Sequence, residues 1–98
     1  MKRAMIIDPS DNVIVMAEEV TAGDDVYYES GGQRYELKAV TDIPVYHKMA
    51  IADIAPGERV LKYGNIIGLA TEAIPKGAHV HVHNIESDQS EVRLGGDR

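Results

Sequence analysis

Branching at Cβ dominates the apolar residues of this chain. Val and Ile number ten each against four Leu, and Phe and Trp are absent. A side chain branched at Cβ has a restricted first torsion, fits poorly on a helix and packs well on a pleated surface. No stretch keeps the i, i+3, i+4, i+7 apolar stripe of a helix for three turns, and nine glycines and four prolines cut the chain into short pieces. The expectation is an all-β fold of short bent hairpins with one or two helical turns. At 98 residues the chain has room for one domain, placed at 1–86 and followed by a polar, mobile tail at 87–98.

The individual strands follow from local signals. Asn12-Val13-Ile14-Val15-Met16 is a continuous apolar run and suits a strand buried on both faces. Gly31-Gly32 separates two strand-like runs, and a Gly-Gly loop favours the primed hairpin turns. That register sets Glu29 opposite Arg34, Tyr28 opposite Tyr35, Tyr27 opposite Glu36 and Val26 opposite Leu37. Further strands are expected at 45–49, 58–63, 66–70 and 78–84, with a turn or short helix at 50–55 and a tight turn at Gly64-Asn65. One pattern recurs: Val20-x-x-Gly23-x-x-Val26, Ile54-x-x-Gly57-x-x-Val60 and Ile74-x-x-Gly77-x-x-Val80. It reads as a tucked-in aliphatic residue, a tight turn and a strand restart. The unequal spacing of these corners excludes a solenoid.

Charge and missing residues exclude several function classes. Ten Lys and Arg against 16 Asp and Glu leave a formal net charge of −6, which argues against nucleic acid or an anionic membrane as a partner. Without cysteine there is no disulfide framework, thiolate nucleophile or Cys-based zinc site. The apolar run at the N-terminus is too short for a signal peptide or a membrane span, so a cytoplasmic protein is expected. Neither a phosphate-cradling Gly-Lys-Ser/Thr loop, nor a dinucleotide glycine fingerprint, nor a nucleophile elbow occurs.

Three clusters carry candidate chemistry. In His79-Val80-His81-Val82-His83-Asn84, strand alternation would put the imidazoles on one face and the valines on the other. Such a face is either a His-x-His metal ligand pair or a solvated histidine face over a valine core. His47-Lys48 offers a group that exchanges protons near neutral pH beside a cation. Lys62-Tyr63-Gly64 puts a lysine beside a turn, where it can hold a carboxylate or simply be solvated. Asp8, Asp11, Asp24 and Asp25 sit at turns and read as backbone caps.

Taken in order, the segments from His47-Lys48-Met49-Ala50 through Lys62-Tyr63-Gly64-Asn65-Ile66-Ile67-Gly68-Leu69-Ala70 to Gly77-Ala78-His79-Val80-His81-Val82-His83-Asn84 resemble the N-terminal SAF-type domain of the altronate and galactarate dehydratase family. Asp11-Asn12-Val13 is similar to the family's opening strand. The resemblance implies a β-clip fold. It also implies the separate small subunit of a metal-dependent hydro-lyase, which turns a sugar acid into a 2-keto-3-deoxy acid together with a large catalytic subunit. The metal implied is Fe2+ or Mn2+. By this resemblance His81 and His83 are metal candidates, and His47, Lys48, Lys62, Tyr63, Gly64 and Asn84 are substrate-binding or subunit-interface candidates. His79 falls on a variable position and is given no role. The catalytic base is not assigned in this chain. A sister group, the (2R)-sulfolactate sulfo-lyases, has a similar small subunit. The rival reading is a non-catalytic β-clip module that binds carbohydrate or protein. A homo-oligomer formed through exposed strand edges is a further expectation.

Overall fold

The computed structural model of the chain describes residues 1–87. From residue 88 the tail expected at 87–98 lies outside them. The strands are β1 (Lys2–Met5), β2 (Val13–Met16), β3 (Asp25–Ser30), β4 (Gln33–Lys38), β5 (Lys48–Ala50), β6 (Arg59–Lys62), β7 (Asn65–Ala70), β8 (His79–Val80) and β9 (Ile85–Glu86). They form a six-stranded sheet in the order β4-β3-β1-β2-β5-β8 and a three-stranded sheet in the order β6-β7-β9. The fold is all-β, as expected. The helical turns are not present among the described residues: 50–55 is the end of β5, a bend and an isolated bridge at Ile54. No helix there is long and apolar enough to cross a membrane.

The Gly31-Gly32 hairpin has the expected register, from Val26 opposite Leu37 to Glu29 opposite Arg34. Both glycines have positive φ, 59° and 79°, as a primed turn requires. Tyr28 stacks on Tyr35 with ring centroids 5.2 Å apart. The Arg34 guanidinium pairs with Glu36 at 3.2 Å and lies 4.0 Å over the Tyr27 ring. The N-terminal apolar run is strand β1, parallel to β3 and antiparallel to β2.

The recurring corners organise the whole molecule, and there are four of them. Val20, Ile54 and Ile74 are buried, and Gly23, Gly57 and Gly77 have φ of 96°, 85° and 91°. The fourth corner is Ile43-x-x-Tyr46-x-x-Met49, where a tyrosine with φ of 69° stands in the glycine position. The corners associate in two reciprocal pairs. Val20 and Ile43 exchange backbone hydrogen bonds, while Gly23 N–H donates to Ala39 C=O and Tyr46 N–H to Met16 C=O. Ile54 and Ile74 do the same, with Gly57 N–H donating to Ala70 C=O and Gly77 N–H to Ala50 C=O. Each pair closes over its own core. One core contains Met16, Val20, Val26, Ala39, Ile43 and Met49; the other contains Ala50, Ile54, Val60, Ala70, Ile74 and Val80.

The two cores lie on opposite faces of the β2-β5 pair. Successive residues of a strand point to opposite faces. Ile14 and Met49 pair and enter the first core, whereas Val13 and Ala50 pair and enter the second. This is why 12–16 reads as apolar without alternation. Corner positions also explain two shifted boundaries. The strand expected at 45–49 begins only at Lys48, because Val45 and Tyr46 form the turn of the fourth corner. The turn expected at Gly64-Asn65 is Tyr63-Gly64, since Lys62 pairs with Asn65. Both turn residues have positive φ, 60° and 73°. Their amides donate to the two oxygens of the buried Asp11 carboxylate, at 3.0 and 2.8 Å. Two adjacent amides in this conformation form a natural anion cradle, here filled by a side chain.

Candidate functional site

The strand expected at 78–84 stops after Val80. Residues 81–84 turn, which ends the alternation, and Val82 is 77% exposed where Val80 is fully buried. The cause is Asn84. Its side-chain oxygen accepts from His81 N–H at 2.9 Å, and its side-chain nitrogen donates to His79 C=O at 2.8 Å. Its backbone N–H donates to His81 C=O, and its C=O accepts from Thr71 N–H. A buried asparagine with both amide atoms engaged by backbone acts on the site by holding this turn.

The turn gathers the imidazoles in a different way from a strand. His47 follows Tyr46 at the fourth corner, where its N–H donates to Pro44 C=O and its C=O accepts from Met16 N–H. His79 pairs opposite Met49 on β8, and its N–H donates to Thr41 Oγ1 at 3.0 Å. The ring nitrogens Nδ1 of His47 and Nε2 of His79 are 2.9 Å apart, one donating to the other. The His47 and His81 ring centroids are 4.3 Å apart, and those of His79 and His83 are 5.0 Å apart. One nitrogen from each of His47, His79 and His81 lies within 4.8 Å of the other two. His83 is exposed and sits at the rim, outside this convergent set.

Electrostatics favour the neutral form of two of the rings, His79 and His81. Partial burial, then the proximity of His83, His47, His81 and Lys48, pushes His79 down to about 4. His81 is lowered too, by burial and then by His47, Lys48 and His83. Neutral imidazoles are the form that donates a lone pair to a metal. Two ligand nitrogens at ~2.1 Å from one metal and at a right angle lie about 3.0 Å apart. The His47–His79 separation fits that requirement, so the three imidazoles suit a borderline divalent metal.

A second feature flanks the imidazoles. Lys48 is half-buried, and burial, then Lys62, holds its ammonium below the usual lysine value. Lys62 also lies 4.9 Å over the Tyr63 ring. The ion pairs among the described residues are Arg34–Glu36 and Lys38–Asp25, so both Lys48 and Lys62 lack a carboxylate partner there. The Asp11 clip places the Tyr63-Gly64 turn, and Asn12 adds two bonds across the sheets, from Leu61 N–H and to Arg59 C=O.

Of the residues singled out in the sequence, the structure brings His47, Lys48 and His81 into one neighbourhood, with His83 at its edge and Lys62 beside Lys48. Tyr63 and Gly64 border it through Lys62. Sequence reasoning missed the central position of His79, which its pairing with Met49 decides. It also missed Asp11 as the residue that positions Lys62. An aspartate just before an apolar strand gives no local sign of a partner 52 residues away.

Comparison with known proteins gives one family match and three relatives. Residues 2–88 match the family described as altronate/galactarate dehydratase SAF domain. The chain is 33% identical over 94 residues to altronate dehydratase of Bacillus subtilis (strain 168), a match covering 96% of this chain and 18% of that protein. It is 38% identical over 82 residues to altronate dehydratase of Escherichia coli (strain K12), covering 16% of that protein. It is 38% identical over 88 residues to the (2R)-sulfolactate sulfo-lyase subunit alpha of Chromohalobacter salexigens, covering 85% of this chain and 92% of that protein. The chain thus spans less than a fifth of the altronate dehydratases it matches and nearly the whole of the sulfo-lyase subunit.

Proposed function

The chain belongs to the altronate/galactarate dehydratase SAF domain family, and from that premise we propose that it is the small component of a sugar-acid hydro-lyase, acting with a large catalytic polypeptide. The observation that carries the reading is the cluster itself. A chain of net charge −6 concentrates three convergent imidazoles with Lys48 beside them and Lys62 beside Lys48, neither lysine having a carboxylate partner among the described residues. Long-range attraction for an acid is absent, so local groups must bind it.

The chemistry follows from the substrate class. Elimination breaks the C–H bond α to a carboxylate and the C–O bond β to it. A base accepts the proton, the leaving hydroxide is protonated to water, and the resulting enol tautomerises to the 2-keto-3-deoxy acid. The difficult part is the negative charge that builds on the carboxylate as the α-proton leaves. His47, His79 and His81 would hold the divalent metal, Fe2+ or Mn2+. That ion, when bound, supplies electrostatic stabilisation of the developing charge. Lys48 and Lys62 orient the acid by pairing with its carboxylate. Asn84 and Asp11 hold the turns that carry these groups. The catalytic base is not assigned to a residue of this chain.

The near-complete match to a sulfo-lyase subunit alpha favours a second reading, elimination of sulfite in place of water. One experiment tests both. The chain is reconstituted with the large polypeptide that co-purifies with it, and keto-acid and sulfite release are assayed separately. Keto-acid release without sulfite supports the dehydratase, and sulfite release supports the lyase of sulfonates. Retention of full activity by the His47→Ala and His81→Ala complexes would instead favour a non-catalytic binding module.

A further inference from the structure

The fourth corner carries a conformational cost that a glycine at Tyr46 would avoid. Three of the four equivalent positions are glycine, and the fourth is Tyr46 with φ of 69°. A residue with a side chain is disfavoured there. In return, the Tyr46 ring gains no stacking partner and its hydroxyl no hydrogen bond among the described residues, and the residue is 74% exposed. Strain of this kind is retained where function uses it.

The surroundings say what uses it. Tyr46 is one residue from His47, and Val82 is one residue from His81, and these two rings are 4.3 Å apart. Val40 and Thr41 are fixed beside β8, because Val40 N–H donates to Gly77 C=O and Thr41 Oγ1 accepts from His79 N–H. Val45, Val40 and Val82 are 40%, 49% and 77% exposed, and Tyr63, the other non-glycine residue with positive φ, is 59% exposed. Exposed apolar side chains thus border a half-buried histidine and lysine cluster. Exposed apolar side chains that flank a half-buried polar cluster mark a candidate interaction surface. Tyrosine is also a frequent anchor in interfaces, since its large ring loses little entropy on binding.

We propose that Tyr46, with Val82, Val40, Val45 and Tyr63, is the docking face that seats the histidine and lysine cluster against the catalytic polypeptide. The partner's surface offers an apolar socket for the Tyr46 ring and leaves Lys48 and Lys62 to the substrate carboxylate enclosed between the two. The inference rests on the function proposed above for the identity of the partner. The relatives select the occupant: the altronate dehydratases extend well beyond the region matched here and the sulfo-lyase match is one subunit, so the face meets the catalytic polypeptide, while the net −6 of the chain opposes a nucleic acid or an anionic membrane.

The test uses the large polypeptide with which the wild-type chain reconstitutes elimination activity, and it measures both affinity and melting. Tyr46→Gly restores the residue found at the other corners, so its melting temperature is equal to or higher than wild type while Kd for the large polypeptide rises about tenfold or more. Tyr46→Phe keeps the ring and binds like wild type. Val82→Ser weakens binding with unchanged melting. The proposal is overturned if Tyr46→Gly and Val82→Ser bind as wild type does. It is also overturned if Tyr46→Gly binds normally but loses activity, which would make Tyr46 a substrate contact. A wild-type chain that forms no complex and restores no activity overturns the proposed function, and the docking face with it.

Discussion

The imidazole of His79 is the group whose surroundings alter its chemistry most. Unfolded, it titrates near its ordinary value of 6.5; folded, burial and its charged neighbours hold it at about 4. Between those values the unfolded chain binds a proton that the folded chain refuses. Stability contributed by neutral His79 is therefore complete above pH 6.5 and declines as pH falls through that value, levelling off below about 4. His81 is shifted in the same direction and adds to the slope. For the metal-free chain, urea melts at pH 7.5 and pH 4 should differ by about 1–2 kcal/mol from these groups after allowance for solvent screening. His79→Gln should flatten the decline; an unchanged slope would remove the imidazoles as its cause. The same residues make the metal prediction. Alanine at His47, His79 or His81 should weaken Mn2+ binding by about tenfold or more, read by calorimetry, with a smaller loss at His83. Equal losses at all four positions would mean that the convergent set is not the site.

The elements of this fold are its corners, and the corners respond differently to the same substitution. At Gly23 an added Cβ meets nothing within 4 Å, so Gly23→Ala costs only the left-handed backbone, about 1 kcal/mol. At Gly77 a Cβ would lie 2.3 Å from the Lys38 carbonyl oxygen. Gly77→Ala should therefore cost about 2–4 kcal/mol in denaturant melts, from strain and overpacking together. Similar costs at the two positions would show that the Lys38 segment yields. The Tyr63-Gly64 turn depends on a residue from elsewhere. Asp11→Ala leaves the two turn amides without their acceptor and should cost about 1–3 kcal/mol. It should also weaken anion binding at Lys62, while Asp8→Ala, a half-exposed residue of the same loop that accepts no bond from the two turn amides, should do so less.

At the scale of the whole molecule, two cores share one strand pair. Met49 and Ala50 are consecutive in β5 and belong to different cores. Neither half can lose its packing without exposing the sheet that backs the other. A single cooperative transition is expected, with the amides of Ile43 and Ile74 exchanging at the same free energy in native-state hydrogen exchange. Exchange of one well before the other would show that the halves open separately. The geometry also explains why the site is where it is. The first pair of corners delivers His47, the second delivers the strand that carries His79, and β5 lies between them. The histidine cluster is formed at the seam of the two halves.

Local chemistry was enough to write much of this in the sequence. The Gly31-Gly32 hairpin was legible to the residue pair, because its turn, its register and its cross-strand partners all lie within a few residues. Three of the four corners were legible because glycine marks them. The fourth was hidden by Tyr46, a side chain in a conformation that side chains avoid, and only the hydrogen bond to Met16 reveals its equivalence. Four histidines in the sequence announced a cluster, with three of them within five residues. Which of them converge was decided by distant contacts. Asn84 ended the strand that would have aligned His83 with the others, and β5 brought His47 to within 2.9 Å of a histidine 32 residues away. Backbone preference and side-chain type are local and survive in the sequence. The convergence of ligands is a property of long-range packing, and only the folded sheets determine it.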